Sequence, residues 1–180
     1  MDIKILEEKG EIGGSKILFG GKVARDLLVI YTIGHSNRKI SDFIFILKKF
    51  NIELLIDIRT YPTSKYVPDY NKENLFRFLK GNDIEYLYRG DILGGLHPEG
   101  FDNYRRTQKY IDALHQLLRE ILMSNKTVAL MCSERDYNNC HRRFISEDLE
   151  KIILENSYDI IIEHIVDERG IDKTLDQFME

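Results

Sequence analysis

The sequence predicts a single α/β domain whose mainly parallel sheet has about five strands, with helices on both faces. Short apolar runs rich in β-branched residues alternate with stretches of helical spacing from residue 27 to residue 166. Near-continuous apolar strands separated by helices are typical of a parallel sheet that is covered on both sides. A length of 180 residues corresponds to about one domain, which we place at 27–180, with 1–26 as an extension outside the pattern.

Each element is predicted from its local pattern, in chain order. The extension holds either two short strands, at 3–6 and 16–19, or a flexible leader. From residue 27 onward, strands and helices alternate, but their order within the sheet does not follow from the pattern. The expected strands are Leu27–Gly34, Glu53–Arg59, Ile84–Arg89, Thr127–Cys132 and Asp159–Val166. Between them we expect a helix capped by Ser41 and ending at Phe50, a helix from Asn71 to Lys80 stopped by Gly81, a long helix over about 104–124, and a helix at Cys140–Glu155 capped by Asn138 or Asn139. One or two helical turns are expected at 174–179.

Composition and charge exclude several classes of protein. The net charge of −4 argues against a protein that coats nucleic acid by bulk charge, although a local basic site is compatible with it. Two cysteines fit a reducing compartment rather than a disulfide scaffold. The charged N-terminus does not resemble a signal peptide, and the apolar runs are too short to span a bilayer. We therefore expect a cytoplasmic protein without membrane association, whose oligomeric state the sequence does not specify.

Reactive side chains follow the predicted strands at the points where those strands end. His35 comes directly after the first strand, Asp57 and Arg59 end the second, and Cys132 ends the fourth. Because ligands of open α/β sheets bind outside the carboxyl ends of the strands, we expect these side chains to share one pocket with Arg142.

The segment Met131–Arg143 carries the strongest chemical signal. A buried strand ends in Cys132, and Cys140, His141 and Arg142 open a helix after a short loop. Amides of a first helical turn, together with an arginine, can hold an anion and favour a thiolate on either cysteine. We expect the acids of the loop, Glu134 and Asp136, to pair with Arg142 and Arg143.

Three chemical interpretations of this segment compete with a purely structural one in which the cysteines are buried. The first is a thiolate nucleophile beside an anion site, although a loop with two acids and no glycine is a poor phosphate cradle. The second is a metal site formed by Cys132, Cys140 and His141, with or without His35, whose spacing is not that of a zinc finger. The third is a redox pair, for which the Cys-x-x-Cys spacing is absent.

Two connections are longer than a parallel sheet requires. The segment 60–70 interleaves tyrosines such as Tyr61 with cations such as Lys65, a pattern suited to stacking on a nucleotide or a nucleic-acid strand. The alternative is a proline-braced loop folded over the sheet edge. The second connection, 90–103, contains Gly94 and Gly95, which indicate either a turn with positive φ or a close backbone approach.

Four motifs occur together in one order: Tyr31 to Ser36, Asp57 to Arg59 followed by Pro62 and Ser64, Leu93 to Gly95, and Cys132 to Glu134 followed by Cys140 to Arg142. As an ordered set they closely resemble the family known as domain of unknown function number 488, over about residues 29–166. In that family a proline often stands between the cysteines, where this chain has Tyr137, Asn138 and Asn139. The resemblance implies no reaction. It implies that recurrent family positions are matched by His35, Asp57, Arg59, Gly94, Gly95, Cys132, Glu134, Cys140, His141 and Arg142.

These observations favour an enzyme that acts on a nucleotide-like or other anionic substrate, as a cysteine-dependent transferase or hydrolase. The alternatives are a non-catalytic module that binds a nucleotide or nucleic acid, and a small Cys/His metal site. The sequence specifies no cofactor, and we assign no metal ligand. The expected catalytic residues are Cys132, Glu134, Cys140, His141 and His35, and the expected anion-binding residues are Asp57, Arg59, Gly94, Gly95 and Arg142.

Overall fold

The computed structural model describes residues 27–167 and 169–172, so the predictions for 1–26 and 174–179 lie outside the described residues. The described chain alternates strands and helices, with 3₁₀ turns at Pro68–Tyr70 and Tyr137–Asn139. The strands are β1 (Leu28–Gly34), β2 (Leu54–Asp57), β3 (Glu85–Tyr88), β4 (Val128–Cys132), β5 (Ile160–Asp167) and β6 (Gly170–Asp172). The helices are α1 (Ile40–Lys49), α2 (Lys72–Lys80), α3 (Gly90–Leu93), α4 (Phe101–Tyr104), α5 (Gln108–Ser124) and α6 (His141–Glu155).

The sheet has the strand order β3-β2-β4-β1-β5-β6, in which the first five strands are parallel and β6 is antiparallel to β5. The chain runs outward from β1 through β2 to β3, and then returns to insert β4 between β1 and β2. Parallel crossovers are right-handed, so the outward and returning connections place their helices on opposite faces of the sheet. The carboxyl ends of β1, β2 and β4 consequently lie side by side.

Two separate apolar cores confirm that helices cover both faces. On one face, Phe43 and Leu47 of α1 and Leu75 of α2 pack on the sheet; on the other face, Leu117 of α5 and Leu149 of α6 do so. Consecutive residues of β4 alternate between the two cores, because side chains of a strand point to opposite faces in turn. Val128, Leu130 and Cys132 face α5 and α6, whereas Ala129 and Met131 face α1 and α2.

The predicted five-stranded parallel α/β fold is confirmed, with differences at some element ends. The long helix predicted over about 104–124 is α5 and begins only at Gln108, because the Thr107 side chain caps it by accepting a hydrogen bond from the Tyr110 amide; Tyr104 belongs to the separate short helix α4. The first helix begins at Ile40, before the predicted cap Ser41. Within the described ranges, no helix is long and apolar enough to cross a membrane.

Candidate functional site

A cavity of about 350 Å³ opens at the carboxyl ends of β2 and β4. The end of β4, the loop that follows it and the first turn of α6 form one wall, and the loops after β2 and α3 form the other. Tyr61 and Leu96 are largely exposed and line this cavity. Its lining residues are Arg59, Thr60, Tyr61, Gly95, Leu96, Cys132, Ser133, Glu134, Asn139, Cys140 and His141.

Two thiols and one imidazole meet in the cavity wall. Cys132 is the last residue of β4, Cys140 is the N-cap of α6, and His141 is the first residue of that helix. The Nδ1 atom of His141 lies 3.5 Å from Sγ of Cys132 and 4.0 Å from Sγ of Cys140. The other ring nitrogen, Nε2, lies 3.1 Å from the carbonyl oxygen of Ile58. Because a carbonyl only accepts, Nε2 carries the hydrogen and Nδ1 presents its lone pair to the sulfurs.

The two thiols are coupled, and their pKa values shift in opposite directions. The hydrogen bond from Cys132 lowers the pKa of Cys140 against the effect of burial, and the charge and backbone amide of Arg142 act in the same direction. The same hydrogen bond, followed by burial, raises the pKa of Cys132. The asymmetry has a structural reason, since the backbone amide of Arg142 donates to Sγ of Cys140 at 3.4 Å at the start of a helix. Cys140 is therefore the more acidic thiol of the pair, and Cys132 is its hydrogen-bond donor.

The prediction that the loop acids pair with Arg142 and Arg143 is wrong. Asp136 accepts hydrogen bonds from the Asn138 amide and the Asn139 side chain, and so caps the 3₁₀ turn instead. Arg143 pairs with Glu147 one turn along α6. Capping of α6 also differs from the prediction, because Cys140 takes the position expected for Asn138 or Asn139.

Arg142 is buried behind the thiols, and none of the carboxylates in the described part of the chain pairs with it. It is 1% exposed, and its Nη2 atom reaches only the carbonyl oxygen of Arg135, at 3.4 Å. Across the described residues, its Nε and Nη1 atoms have no hydrogen-bond partner. Burial lowers the pKa of Arg142, and the charges of Cys140 and Cys132 oppose that shift. A buried cation requires a nearby negative charge, and the two cysteines are the ionisable groups that act most strongly on it.

Arg59 lies in the cavity wall and is held from behind by a buried carboxylate. Asp57 is fully buried and accepts from Nη2 of Arg59 at 2.6 Å and from Nε at 2.9 Å. A second bond from Nη2 reaches the carbonyl oxygen of Tyr70 at 2.9 Å, and Tyr86 donates its hydroxyl to Asp57 at 2.8 Å. The guanidinium is consequently fixed in one orientation at the cavity surface.

His35 lies behind Arg59 rather than in the cavity wall. Its Nδ1 lies 2.7 Å from the carbonyl oxygen of Ser36, and its Nε2 lies 3.1 Å from Nη1 of Arg59. Nδ1 is therefore the donor, and Nε2 accepts from the guanidinium. Tyr70 stacks on the imidazole with ring centroids 4.1 Å apart. Burial, followed by the charge of Arg59, lowers the pKa of His35 to about 4, so the ring is neutral near pH 7.

Gly94 and Gly95 serve close backbone approach, because neither has a positive φ. A Cβ atom on Gly95 would lie 2.6 Å from Cγ of His141. A Cβ atom on Gly94 would lie 2.4 Å from Oγ1 of Thr60 and equally close to the carbonyl oxygen of Gly90. Gly95 therefore lets the loop after α3 pack directly on the imidazole of the site.

The sequence-predicted residues divide into a cavity wall and a supporting layer. Tyr70, which the sequence indicated only as one of the tyrosines of the 60–70 loop, holds Arg59 through its carbonyl oxygen. Two residues escaped sequence analysis: Thr60, whose hydroxyl accepts from the Leu96 amide, and Tyr86, which donates to Asp57. Their positions in a loop and on an alternating strand gave no signal. In the wall lie Arg59, Gly95, Cys132, Glu134, Cys140 and His141, and behind it lie His35, Asp57, Gly94 and Arg142.

Cys132, Cys140 and His141 are also the described residues that could hold a metal ion together. Each offers one ligand atom, and the three atoms lie within 4.8 Å of one another. Both cysteines are free in the structure.

The fold and site define a class: a parallel α/β domain with a thiol–imidazole cluster at the carboxyl edge of its sheet. Within that class, residues 39–149 match the family model described as domain of unknown function DUF488. The match covers more than half of the chain, which therefore belongs to this family, as its motifs predicted. No curated protein and no solved structure matches the chain.

Proposed function

We propose that the protein is a cysteine-dependent transferase or hydrolase that acts on a small anionic, nucleotide-like substrate in this cavity. The observation that carries the proposal is the position of Cys140. Its sulfur caps the N-terminus of α6, accepts the Arg142 amide and lines an open cavity. A buried structural cysteine needs neither that amide nor access to a cavity.

Cys140 acts as the nucleophile in two balanced steps. In the first, its sulfur bonds to the electrophilic atom of the substrate while the bond to the leaving group breaks, and the leaving group takes the proton of Cys132. In the second, Glu134 accepts a proton from water or an acceptor, whose oxygen displaces Cys140, and the proton returns to Cys132. The thiol pair thus keeps one negative charge beside the buried Arg142 throughout.

The substrate class follows from the charges around the cavity. The carboxylate of Asp57 balances the charge of Arg59, so the pair adds no net charge to the cavity. Arg59 contributes N–H groups in a fixed orientation instead. The positive end of the α6 dipole and the buried Arg142 in its first turn provide the attraction for an anion. Tyr61 is 70% exposed at the cavity and offers a ring on which a nucleobase can stack. His35 is a positioning residue that acts through Arg59.

Labelling with iodoacetamide tests the nucleophile. Peptide mapping of the folded protein at neutral pH should show one fast site, Cys140, because the thiolate is the reactive form. Cys132→Ser retains that site, since a serine hydroxyl can still donate to the thiolate, whereas Cys140→Ser abolishes it. If both thiols label only after unfolding, the enzyme proposal fails.

Calorimetry separates the enzyme from the rival binding module. Nucleotide or inorganic phosphate should bind in the cavity, and the measurement is repeated on Cys140→Ser. Binding that persists while both thiols stay inert would favour a non-catalytic nucleotide-binding module. Turnover of a nucleotide panel that is lost in Cys140→Ser and weakened in Glu134→Gln would favour the enzyme.

A further inference from the structure

We propose that Cys132, Cys140 and His141 bind one thiophilic divalent cation, with Zn²⁺ as the best match, and that the bound ion silences the thiol nucleophile. The metal site itself stands independently of the proposed function, whereas the silencing rests on it. The three ligand atoms come from the end of β4 and the first turn of α6, which the fold holds together.

The distances fit a tetrahedral centre. Zinc bonds of about 2.3 Å to sulfur and about 2.0–2.1 Å to nitrogen, at tetrahedral angles, place a sulfur and a nitrogen ligand about 3.6 Å apart. The two observed separations from Nδ1 of His141 are 3.5 Å to Cys132 and 4.0 Å to Cys140. All three ligand atoms fall within 4.8 Å. The two Nδ1–Sγ distances therefore lie within a few tenths of an ångström of the tetrahedral value.

The groups around the ligands are those that a metal site requires. A ligating histidine usually donates its other ring N–H to a carboxylate or a backbone carbonyl, which fixes the tautomer. His141 does this through Nε2 to Ile58, so Nδ1 is already aimed at the sulfurs. The Arg142 amide donates to Sγ of Cys140, and Gly95 packs against the imidazole ring. The cluster is therefore preorganised without the ion.

The fourth coordination position faces the cavity. Three protein ligands and one exchangeable ligand are typical of catalytic rather than structural zinc sites. Two thiolates neutralise a divalent cation, so the charge of Arg142 favours an anion or hydroxide as the fourth ligand. On binding, Cys132 releases its proton to solvent, and both sulfurs donate electron pairs to the metal. Neither sulfur is then available for nucleophilic attack.

Titration with Co²⁺ as a spectroscopic probe tests the site on the full, reduced chain. We expect one equivalent to produce sulfur-to-cobalt charge-transfer absorption and intense ligand-field bands, which report tetrahedral thiolate coordination. Zn²⁺ should displace the signal. Cys132→Ser, Cys140→Ser and His141→Gln should each weaken binding more than about 100-fold, beyond the usual loss for an outer partner. His115→Gln, at an exposed position of α5, should bind like the wild type.

A measurement on the wild-type protein keeps the test valid if a variant fails to fold. Zn²⁺ should protect Cys140 of the wild type from iodoacetamide, and a chelator should restore its labelling. Absence of thiolate-to-cobalt absorption in the reduced wild type would overturn the metal site. If cobalt binds but the thiols of the metal-free protein do not react with iodoacetamide, the metal site stands and the role of Cys140 as a nucleophile is refuted. Fast labelling that saturating Zn²⁺ leaves unchanged would refute the silencing.

Discussion

Protonation of His35 should destabilise the fold as the pH falls below neutrality. The imidazole is buried against Tyr70, and its Nε2 atom accepts from the Arg59 guanidinium. A proton on Nε2 would remove that acceptor and place a second cation against the arginine. The pKa of this ring is lowered from 6.5 to about 4, primarily by burial and then by the charge of Arg59.

The sign and size of the effect follow from this shift. Between pH 6.5 and 4 the unfolded chain binds a proton at His35 that the folded protein excludes, so stability decreases as the pH falls through this window. Each unit of pKa difference corresponds to about 1.4 kcal/mol, so the full window amounts to about 3 kcal/mol. Above pH 6.5 the ring is neutral in both states, and the contribution of His35 to stability is complete.

Urea unfolding at a series of pH values measures the effect on the wild type and on His35→Gln, whose amide can accept from Arg59 but does not titrate. The difference between the two curves isolates His35 from the carboxylates. We expect the free energies of unfolding to diverge above pH 4 and the difference to become constant above pH 6.5. Parallel curves, or an NMR titration of the folded ring with a pKa near 6.5, would refute the argument.

Three further changes test the supporting layer and the helix break, each measured by urea unfolding. Asp57→Asn should lower the free energy of unfolding by about 3–5 kcal/mol, because it leaves a buried guanidinium without its counter-ion. The control is Tyr86→Phe, which removes one hydrogen bond to the same carboxylate, and an equal or larger loss of stability in that control would contradict the prediction. Gly95→Ala should destabilise the protein and slow cysteine labelling by displacing the imidazole. Gly81→Ala, with an ordinary φ and only van der Waals contacts at its Cβ, should be neutral; equal effects would count against the close-approach argument. Thr107→Ala should cost about 1 kcal/mol through loss of the α5 cap, and an unchanged stability would show that the cap is unimportant.

The fold was predictable because its strands are nearly all apolar. Runs such as Val128–Cys132 are fully buried, and a parallel sheet covered on both faces is the arrangement that such runs require. The position of β4 between β1 and β2 was not predictable, since strand order depends on long-range pairing that local periodicity does not encode. β6 was missed because three residues carry too little pattern.

The candidate site was predicted in its wall better than in its supporting layer. The sequence predicted that Arg59 and the cysteine segment would lie together, because residues that follow parallel strands meet at one edge of the sheet, and Arg59, Cys132 and Cys140 do line one cavity. The expected pairing of Arg142 with the loop acids was wrong. It was inferred from two acids in a short loop, but Asp136 accepts a hydrogen bond from the Asn138 amide within its own turn. Local composition cannot show which acceptor a side chain reaches.

The insertion of β4 between β1 and β2 has a consequence for the order in which the chain folds. During synthesis from the N-terminus, β1, β2 and β3 emerge first, but β1 and β2 are not neighbours and cannot form the finished sheet. The sheet closes only when residues 128–132 enter its centre, and that strand ends in Cys132. Nascent chains that stop before β4 therefore lack both thiols and leave unpaired both edges of β1 and the inner edge of β2. The reactive centre exists only after this unpaired stage has passed.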